Sequence, residues 1–350
     1  MNGTLLVVVA ILLQSLSNGL LSDDLGGGES LLLSFTAFGA SALVFGLVNR
    51  LRRAGRPRES LRGAPLRLML LLNAATAVTF LGFYTSLTLA PAPLATAVET
   101  GIGPAALAVA GLRRPTAGAP HPRRLALGSL ALALALAAAV RAGGTGSEHT
   151  TAQLSAGLAL AGVAGVTAAG IAVLSHRLGG LGVSPVTVTA HRFHLTYLLA
   201  LVLLLGPGPG LHATTAGRAA FIGLIAVLGV ALPLFVLQIG MQRTAPMAVT
   251  LLASAVPGLT YLTATLVGRQ SFDLPVFLLV NGSLLLAFLG PVLLRARPSA
   301  ARNGSTTDLP GPTAARPAAG PPRPAAARPV ARPAAARPAT DPVDRARLDL

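Results

Sequence analysis

Ten apolar runs of about 20 residues each follow one another along the chain, separated by short polar segments. A bilayer core of ~30 Å is crossed by a helix of about this length, because lipid offers no partners for an open backbone. The pattern predicts an all-α integral membrane protein with ten transmembrane helices. These predicted spans lie near 4–21, 30–49, 68–89, 93–112, 123–140, 155–175, 186–206, 219–240, 247–267 and 275–294.

The composition agrees with this class. Hydrophobic residues make up 53% of the 350 positions, charged residues only 11%, and the mean hydropathy is +0.69. So few charges cannot coat a soluble globule of this size. The formal net charge is +16, but the chain has no Trp and only 3 Tyr, and its arginines cluster between apolar runs. Lipid headgroups are therefore the expected partners of this charge, and nucleic acid is not.

The arginines of the short loops predict the orientation. The segment from Arg50 to Arg67 carries seven arginines and that from Arg113 to Arg124 carries four, whereas the alternate loops hold SDDLGGGE and a lone Arg141. Basic loops favour the cytoplasmic side. We expect a multi-pass protein of the cell's inner (plasma) membrane with both termini cytoplasmic. The first span has no basic n-region and should remain attached.

The composition changes to Ala, Pro and Arg near residue 297 and stays so to the end of the chain. The motif AAARP occurs at Ala325 and again at Ala334, and such a low-complexity segment can bury no core. We expect residues 297–350 to form a disordered cytoplasmic tail.

The two halves of the hydrophobic region share features at a constant offset of 153 residues. Ala92-Pro93 followed by Pro104 corresponds to Ala245-Pro246 followed by Pro257. This offset contains five spans. Because five is an odd number, the second half crosses the membrane with the opposite orientation to the first. The sequence thus predicts two inverted five-helix repeats, residues 1–141 and 142–296, an arrangement typical of secondary transporters.

Polar residues within the spans follow helical spacing and should face one cavity. Hydrogen bonding between helices without a ligand is the alternative for any one of them. The candidates for binding substrate or protons are Glu99, Thr96, Thr100, Gln14, Asn18, Asn73 and Tyr84 in the first half, and Gln238, Ser254 and Tyr261 in the second.

Glu99 is the only acidic residue within any predicted span. A charged group at mid-bilayer costs roughly 2.5 to 3.5 kcal/mol, so the carboxyl is best accommodated where it faces a wet cavity or carries a proton. We expect it to alternate between a proton from outside and a substrate ammonium. Pro104 and Pro257 are predicted helix breaks, because each leaves a carbonyl four residues earlier without its donor.

Other features favour structural roles. Gly157, Ala161, Gly165 and Ala169 form a small-residue ridge that suits close helix packing. Arg192, about six residues inside the seventh span, is expected to snorkel to the interface or to contact a gate. His191 and His194 have a spacing that suits a metal, yet no carboxylate or thiol completes a site, so neither a metal nor a cofactor is predicted.

The sequence resembles the drug/metabolite transporter superfamily, specifically its EamA-like ten-helix members, over residues 1 to about 296. FYTSLTLAPAPLATAVE followed by GPAALAVAGLRRP is most similar to threonine/homoserine-type exporters. The resemblance implies export of small metabolites, including amino acids. The chain departs from that pattern where Glu99 precedes Pro104 by five residues and where Val256 precedes Pro257.

We therefore expect a secondary active transporter that exports amino-acid-like or amphipathic compounds by alternating access with proton exchange. An importer is one alternative, and a non-transporting scaffold or sensor is another. No nucleotide-binding loop or hydrolase motif occurs in the sequence, which excludes the common enzyme classes and ATP-driven pumping by this chain alone. Expected partners are a small-molecule substrate, protons and lipids, and a homodimer is left open.

Overall fold

The computed structural model describes residues 2–21, 27–53, 61–90, 92–112, 127–130, 150–206 and 214–268, together with parts of 271–285. Within these ranges the regular structure is helical and contains no strand. The described residues belong to one unit of the chain that ends at Ala296. The predicted tail at 297–350 lies outside the described residues, as do most of the predicted spans at 123–140 and 275–294.

Helices α1 to α4 comprise Gly3–Leu21, Gly27–Arg53, Ala64–Leu87 and Ala92–Leu112. In the second half, α5 comprises Thr151–Gly180, α6 Pro185–His191 and α7 His194–Leu205. Helix α8, Ala216–Ile225, continues through a π-helical turn at Ala226–Ala231 into α9, Leu232–Arg243. The last two helices, α10 and α11, comprise Pro246–Ala253 and Val256–Leu266.

Local signals in the sequence fix where several helices begin. The Thr150 hydroxyl accepts a hydrogen bond from the backbone N–H of Gln153, whose side chain in turn accepts from the Thr150 N–H, so a capping box starts α5. Ser184 caps α6 in the same way through the Thr187 N–H, ahead of Pro185. These caps satisfy backbone donors that a helix end leaves open.

In the ranges that the structure describes, seven helical segments are long and apolar enough to cross a membrane. They are α1, α2, α3 and α5, and the combined segments α6 with α7, α8 through α9, and α10 with α11. Large apolar side chains stay exposed along them, for example Leu43, Leu205 and Leu266 at 74, 77 and 86%. Such surfaces suit contact with lipid rather than water. The chain is thus a multi-pass membrane protein with an all-helical fold.

The helices of one half pack mainly on those of the other. Helices α3 and α4 pack against α5, α1 packs against α9 and α11, and α2 packs against α6 and α7. Small residues bring the backbones together, as the predicted ridge does on α5, where Gly157, Ala161, Gly165 and Ala169 are all buried. The shared core includes Val7, Leu72, Leu178, Met241 and Leu252.

The described helices coincide with predicted spans, but three spans are interrupted. The span at 186–206 is divided at Arg192–Phe193, and that at 247–267 is divided at Ser254–Ala255. The span at 219–240 contains the π-helical turn. Continuous helices were predicted for the spans at 186–206 and 219–240, whereas a break at Pro257 was predicted within the span at 247–267. The physical causes of two of the interruptions lie in the site described next.

Candidate functional site

The break between α6 and α7 is held open by a side chain from the other half of the protein. In an uninterrupted helix, the N–H of Leu195 would donate to the carbonyl of His191. Instead, Asn73 of α3 donates from Nδ2 to the His191 carbonyl at 2.8 Å, and the Leu195 N–H donates to Asn73 Oδ1 at 2.9 Å. The amide is thus inserted into the helical hydrogen-bond ladder, a recognised cause of kinks.

Replacing Asn73 by Leu should destabilise the fold, because both backbone groups at the break would lose their partners. A buried donor or acceptor left unpaired costs about 1 to 3 kcal/mol, so the two together should cost several. Thermal unfolding of the purified protein measures the loss. Asn49→Leu serves as comparison, since Asn49 accepts a single hydrogen bond from Thr187 at 3.2 Å and should cost less. Equal melting temperatures for the two variants would contradict this account of the break.

The break places Arg192 inside the bundle. Arg192 is 2% exposed and is among the largest fully buried side chains in the described part of the protein. Its Nη1 donates to Oε1 of Gln238 on α9 at 2.6 Å, and Ser175 of α5 donates to the same oxygen at 3.3 Å. Three helices of the second half therefore meet around one guanidinium.

The expectation that Arg192 snorkels to the interface is wrong. Its guanidinium donates to Gln238, which is itself fully buried, and does not reach the surface of the bundle. Within the described residues, Arg192 Nε and Gln238 Nε2 have no hydrogen-bond partner, and Arg192 forms no ion pair. Gln238 is thus a predicted site residue that does lie in a polar cluster. Ser175 and Arg192 as its neighbours were not predicted as site residues.

An aromatic cluster lies beside Arg192. The Phe193 ring stacks on Phe38 at 5.0 Å between centroids, and Phe38 contacts Phe80 at 4.6 Å. Phe80 in turn neighbours Tyr84 at 6.4 Å. Aromatic residues are only 4% of the chain, so their concentration here marks a distinct apolar layer built from α2, α3 and the α6–α7 break.

Glu99 lies at the other end of this cluster. The Tyr84 hydroxyl is close enough to the Ser34 side chain and to Glu99 for an electrostatic interaction with each. The Glu99 side chain is half-buried, and it forms no ion pair within the described part of the chain. Tyr84 and Glu99, both predicted site residues, therefore lie within electrostatic range of each other.

The two charged groups occupy different levels of the bundle. The Glu99 backbone lies directly against Gly165 of α5, whereas Arg192 is linked through Gln238 to Ser175 of the same helix. Ser175 follows Gly165 by 10 residues, which corresponds to about 15 Å at the rise of an α-helix. Glu99 and Arg192 therefore belong to two sites, with the aromatic cluster between them.

The two predicted proline breaks differ. The helical structure is interrupted at Ser254–Ala255, directly ahead of Pro257. There the Ser254 hydroxyl donates to the Leu251 carbonyl at 2.6 Å. By contrast, α4 continues as a helix through Pro104. Near it, Thr100 donates to the Thr96 carbonyl at 2.8 Å, so both predicted threonines lie one turn apart on the Glu99 helix.

The remaining predicted residues lie apart from these two sites. The Tyr261 hydroxyl accepts from the Asp273 N–H at 2.8 Å, which ties α11 to the chain that follows it. Gln14 and Asn18 are half-buried on α1, and no contact in the described ranges joins them to Glu99 or Arg192. Tyr261 thus has a structural hydrogen bond rather than a visible part in the polar cluster.

The two histidines beside Arg192 bond each other. His191 Nδ1 lies 3.4 Å from His194 Nε2, and His194 Nδ1 lies 3.3 Å from the Tyr197 hydroxyl. No group of three or more metal-ligating side chains occurs in the part of the chain that the structure describes. These histidines form a short polar row across the break, from the end of α6 to Tyr197 on α7.

An ion pair that the sequence did not predict joins the halves at one end of the bundle. Arg218 of α8 donates from Nε and Nη2 to the two carboxylate oxygens of Glu29 on α2, both at 3.1 Å. The pair is separated by 189 residues in sequence. This bidentate geometry fixes the orientation of both side chains.

Comparison with known proteins supports the fold. No protein-family model and no curated protein matches the sequence. A solved structure, described only as the crystal structure of a protein, superposes with a TM-score of 0.63 at 21% identity. The superposition covers 85% of this chain and 98% of the other. At this identity the similarity concerns the fold alone.

Proposed function

We propose that the protein is a secondary transporter that exports small amino-acid-like or amphipathic metabolites in exchange for protons. The observation that carries the proposal is the buried Arg192, placed at a helix break by Asn73 of one half and bonded to Gln238 of the other. Breaks in membrane helices that bring polar groups together near the middle of the bilayer are a recurring feature of transporters.

The energetic cost of this arrangement argues against a passive scaffold. A cation inside an apolar bundle loses its hydration, and replacing such groups by apolar ones is often neutral or stabilising. A protein that only presented a tail or spanned the membrane would fold as well without Arg192. A binding or transport function accounts for a charge that folding alone does not require.

The packing supports two inverted repeats. With the 153-residue offset, the third and fourth spans of each half correspond, and so do the two first spans. Helices α3 and α4 pack on α5, and their counterparts, α9 and the α10–α11 segment, pack on α1. In each half, the third and fourth spans thus pack on the first span of the other half. A pseudo-twofold axis between the halves produces this reciprocal packing. It fits the ten-helix EamA-like arrangement and movement of one half against the other.

Glu99 is the proposed coupling residue. It is half-buried beside Tyr84, at a level different from that of Arg192. Such a carboxyl can take a proton from one side and release it on the other, or exchange it for a substrate ammonium. The carbonyl of the adjacent Thr100, to which Pro104 one turn later cannot donate, adds a second acceptor.

The arginine-rich loops predict a cytoplasmic position for both termini. Reporters that are active only in the periplasm or only in the cytoplasm, fused after Ala142 and after Leu350, test this topology. The Leu350 fusion should give the cytoplasmic signal and the Ala142 fusion the periplasmic one. The reverse result at either position would contradict the orientation and the inverted second half.

Flux measurements in proteoliposomes test the function itself. The full chain is assayed against a panel of amino acids and cationic amphiphiles, with and without a pH gradient. We expect transport of at least one compound. Its flux should be faster when a pH gradient drives protons in the opposite direction. Uptake driven in the same direction as protons would instead indicate an importer. Absence of flux for the entire panel in correctly folded protein would argue for the scaffold alternative.

A further inference from the structure

The side chains around Arg192 have unused hydrogen-bonding capacity within the described part of the protein. Nη1 of the guanidinium donates to Gln238 Oε1, and Nε has no partner within the described residues. Gln238 Nε2, on the same amide, is buried and likewise unpartnered there. Both side chains are at most 2% exposed, so water at the protein surface does not satisfy them.

These donors define the chemistry of the missing partner. They are all N–H groups, and one belongs to a fixed positive charge, so the partner must be an acceptor and is favoured if it is an anion. The unpartnered Nε lies on the Nε–Nη2 edge of the guanidinium, whose two parallel N–H groups match the two oxygens of a carboxylate. Glu99 is not this partner, because it forms no ion pair with Arg192 within the described residues and its backbone lies about 15 Å along α5 from the Ser175 level.

The residues beside Arg192 limit what the rest of a bound ligand can be. Phe193, Phe38 and Leu234 form a buried apolar cluster next to the guanidinium, and the Arg192 Cζ lies 4.8 Å from the Phe193 ring centre. A ligand seated on Arg192 would place its remaining atoms against this cluster. An apolar or weakly polar side chain of the ligand therefore fits against this cluster better than a charged side chain.

We infer that Arg192 and Gln238, with Ser175 beside them, form a binding site for the carboxylate of a small substrate, separate from Glu99. The inference rests on the proposed transport function and adds a substrate class to it: amino-acid-like compounds with one carboxylate and a small apolar or weakly polar side chain. Because the site is closed in this structure, a substrate enters it only when the neighbouring helices separate. Arg192 is then a recognition residue, and Glu99 acts at a different level.

Cysteine labelling tests the site without requiring flux, since the chain has no cysteine of its own. Ser175→Cys in the full-length protein, in lipid nanodiscs, is treated with an anionic and a cationic methanethiosulfonate of similar size. A positive site should make the anionic reagent react about tenfold faster than the cationic one, because charge concentrates counter-ions in a low-dielectric cleft. In an Arg192→Gln background this preference should vanish.

Matched variants and ligands complete the experiment. Arg243→Gln removes an exposed arginine from the end of the Gln238 helix and should leave the preference unchanged. L-alanine, L-valine and L-threonine should protect the cysteine from labelling, whereas their amides, which lack the carboxylate, should not. Thr196→Cys, four residues beyond Arg192, provides a second reporter if Ser175→Cys folds poorly.

The outcomes separate this inference from the transport proposal. Equal labelling by both reagents, no labelling at either position, or equal protection by acids and amides would overturn the carboxylate site even if flux is observed. Protection by sodium chloride as strong as that by the amino acids would assign an inorganic anion instead and would also overturn it. Selective protection without any flux would support the site and contradict transport.

Discussion

Glu99→Gln is expected to abolish proton-driven efflux while the protein still inserts and folds. Glutamine keeps the shape and hydrogen bonding of the side chain but cannot bind and release a proton. Because Glu99 is the only acidic residue within the predicted spans, no other carboxyl there can replace it. The measurement compares the flux of one transported compound with and without a pH gradient in proteoliposomes. The gradient should stimulate the unaltered protein and have no effect on the variant.

Glu99→Asp is the matched control, since it keeps the acid and shortens the side chain by one methylene. Flux should then fall but remain stimulated by the gradient. A charged group at mid-bilayer costs roughly 2.5 to 3.5 kcal/mol, so the glutamine variant should be at least as stable as the original. A Glu99→Gln protein that transports with unchanged rate and gradient dependence would reject Glu99 as the coupling residue.

The helical spans could be predicted from sequence because lipid imposes one requirement over about 20 residues at a time. The break at Arg192–Phe193 could not be predicted, because its cause, Asn73, lies 118 residues earlier than His191. Asn73 itself was recognised as unusual among apolar neighbours. Its role depends on which helix it meets, and periodicity carries no such information.

The prolines illustrate the same limit. Pro257 stands one residue into a new helix, whereas the identical residue at Pro104 leaves α4 continuous. A proline removes one hydrogen bond in either case, and the neighbouring packing decides whether the helix separates. A methyl group added at Gly103 would be in ordinary contact with Gly165 and Thr250, so α4 is packed against neighbouring helices at this point.

The candidate site was predicted in part. The polar spacing identified Gln238, Tyr84 and Glu99, which the structure places at the two ends of the aromatic cluster. It misassigned Arg192, since counting residues from a helix end gives the depth of a side chain but not its direction. The Glu29–Arg218 pair joins segments 189 residues apart, and neither residue has a local signal for the other.

Gly165→Ala should have the largest effect on stability of any single methyl addition in α5. A Cβ at this position would overlap with the Glu99 carbonyl oxygen and lie 3.0 Å from its carbonyl carbon. Both atoms belong to the backbone of α4, which cannot rotate away as a side chain does. Overpacking of a core typically costs 1 to 3 kcal/mol, and a contact with backbone should reach or exceed the upper end of that range.

Gly170→Ala, five residues further along the same helix, is the control, because nothing lies within 4 Å of its added methyl group. Alanine exceeds glycine in helix propensity by about 1 kcal/mol, so this variant should melt at the same or a slightly higher temperature. Gly165→Ala should melt at a temperature well below those of Gly170→Ala and of the unaltered protein. In addition, α4 must shift away from α5 at Glu99 itself, so the remaining folded protein should lose proton-driven flux out of proportion to its stability. Similar melting temperatures for the two variants would show that α4 and α5 are not in backbone contact at Gly165, and the position assigned to Glu99 would then be wrong.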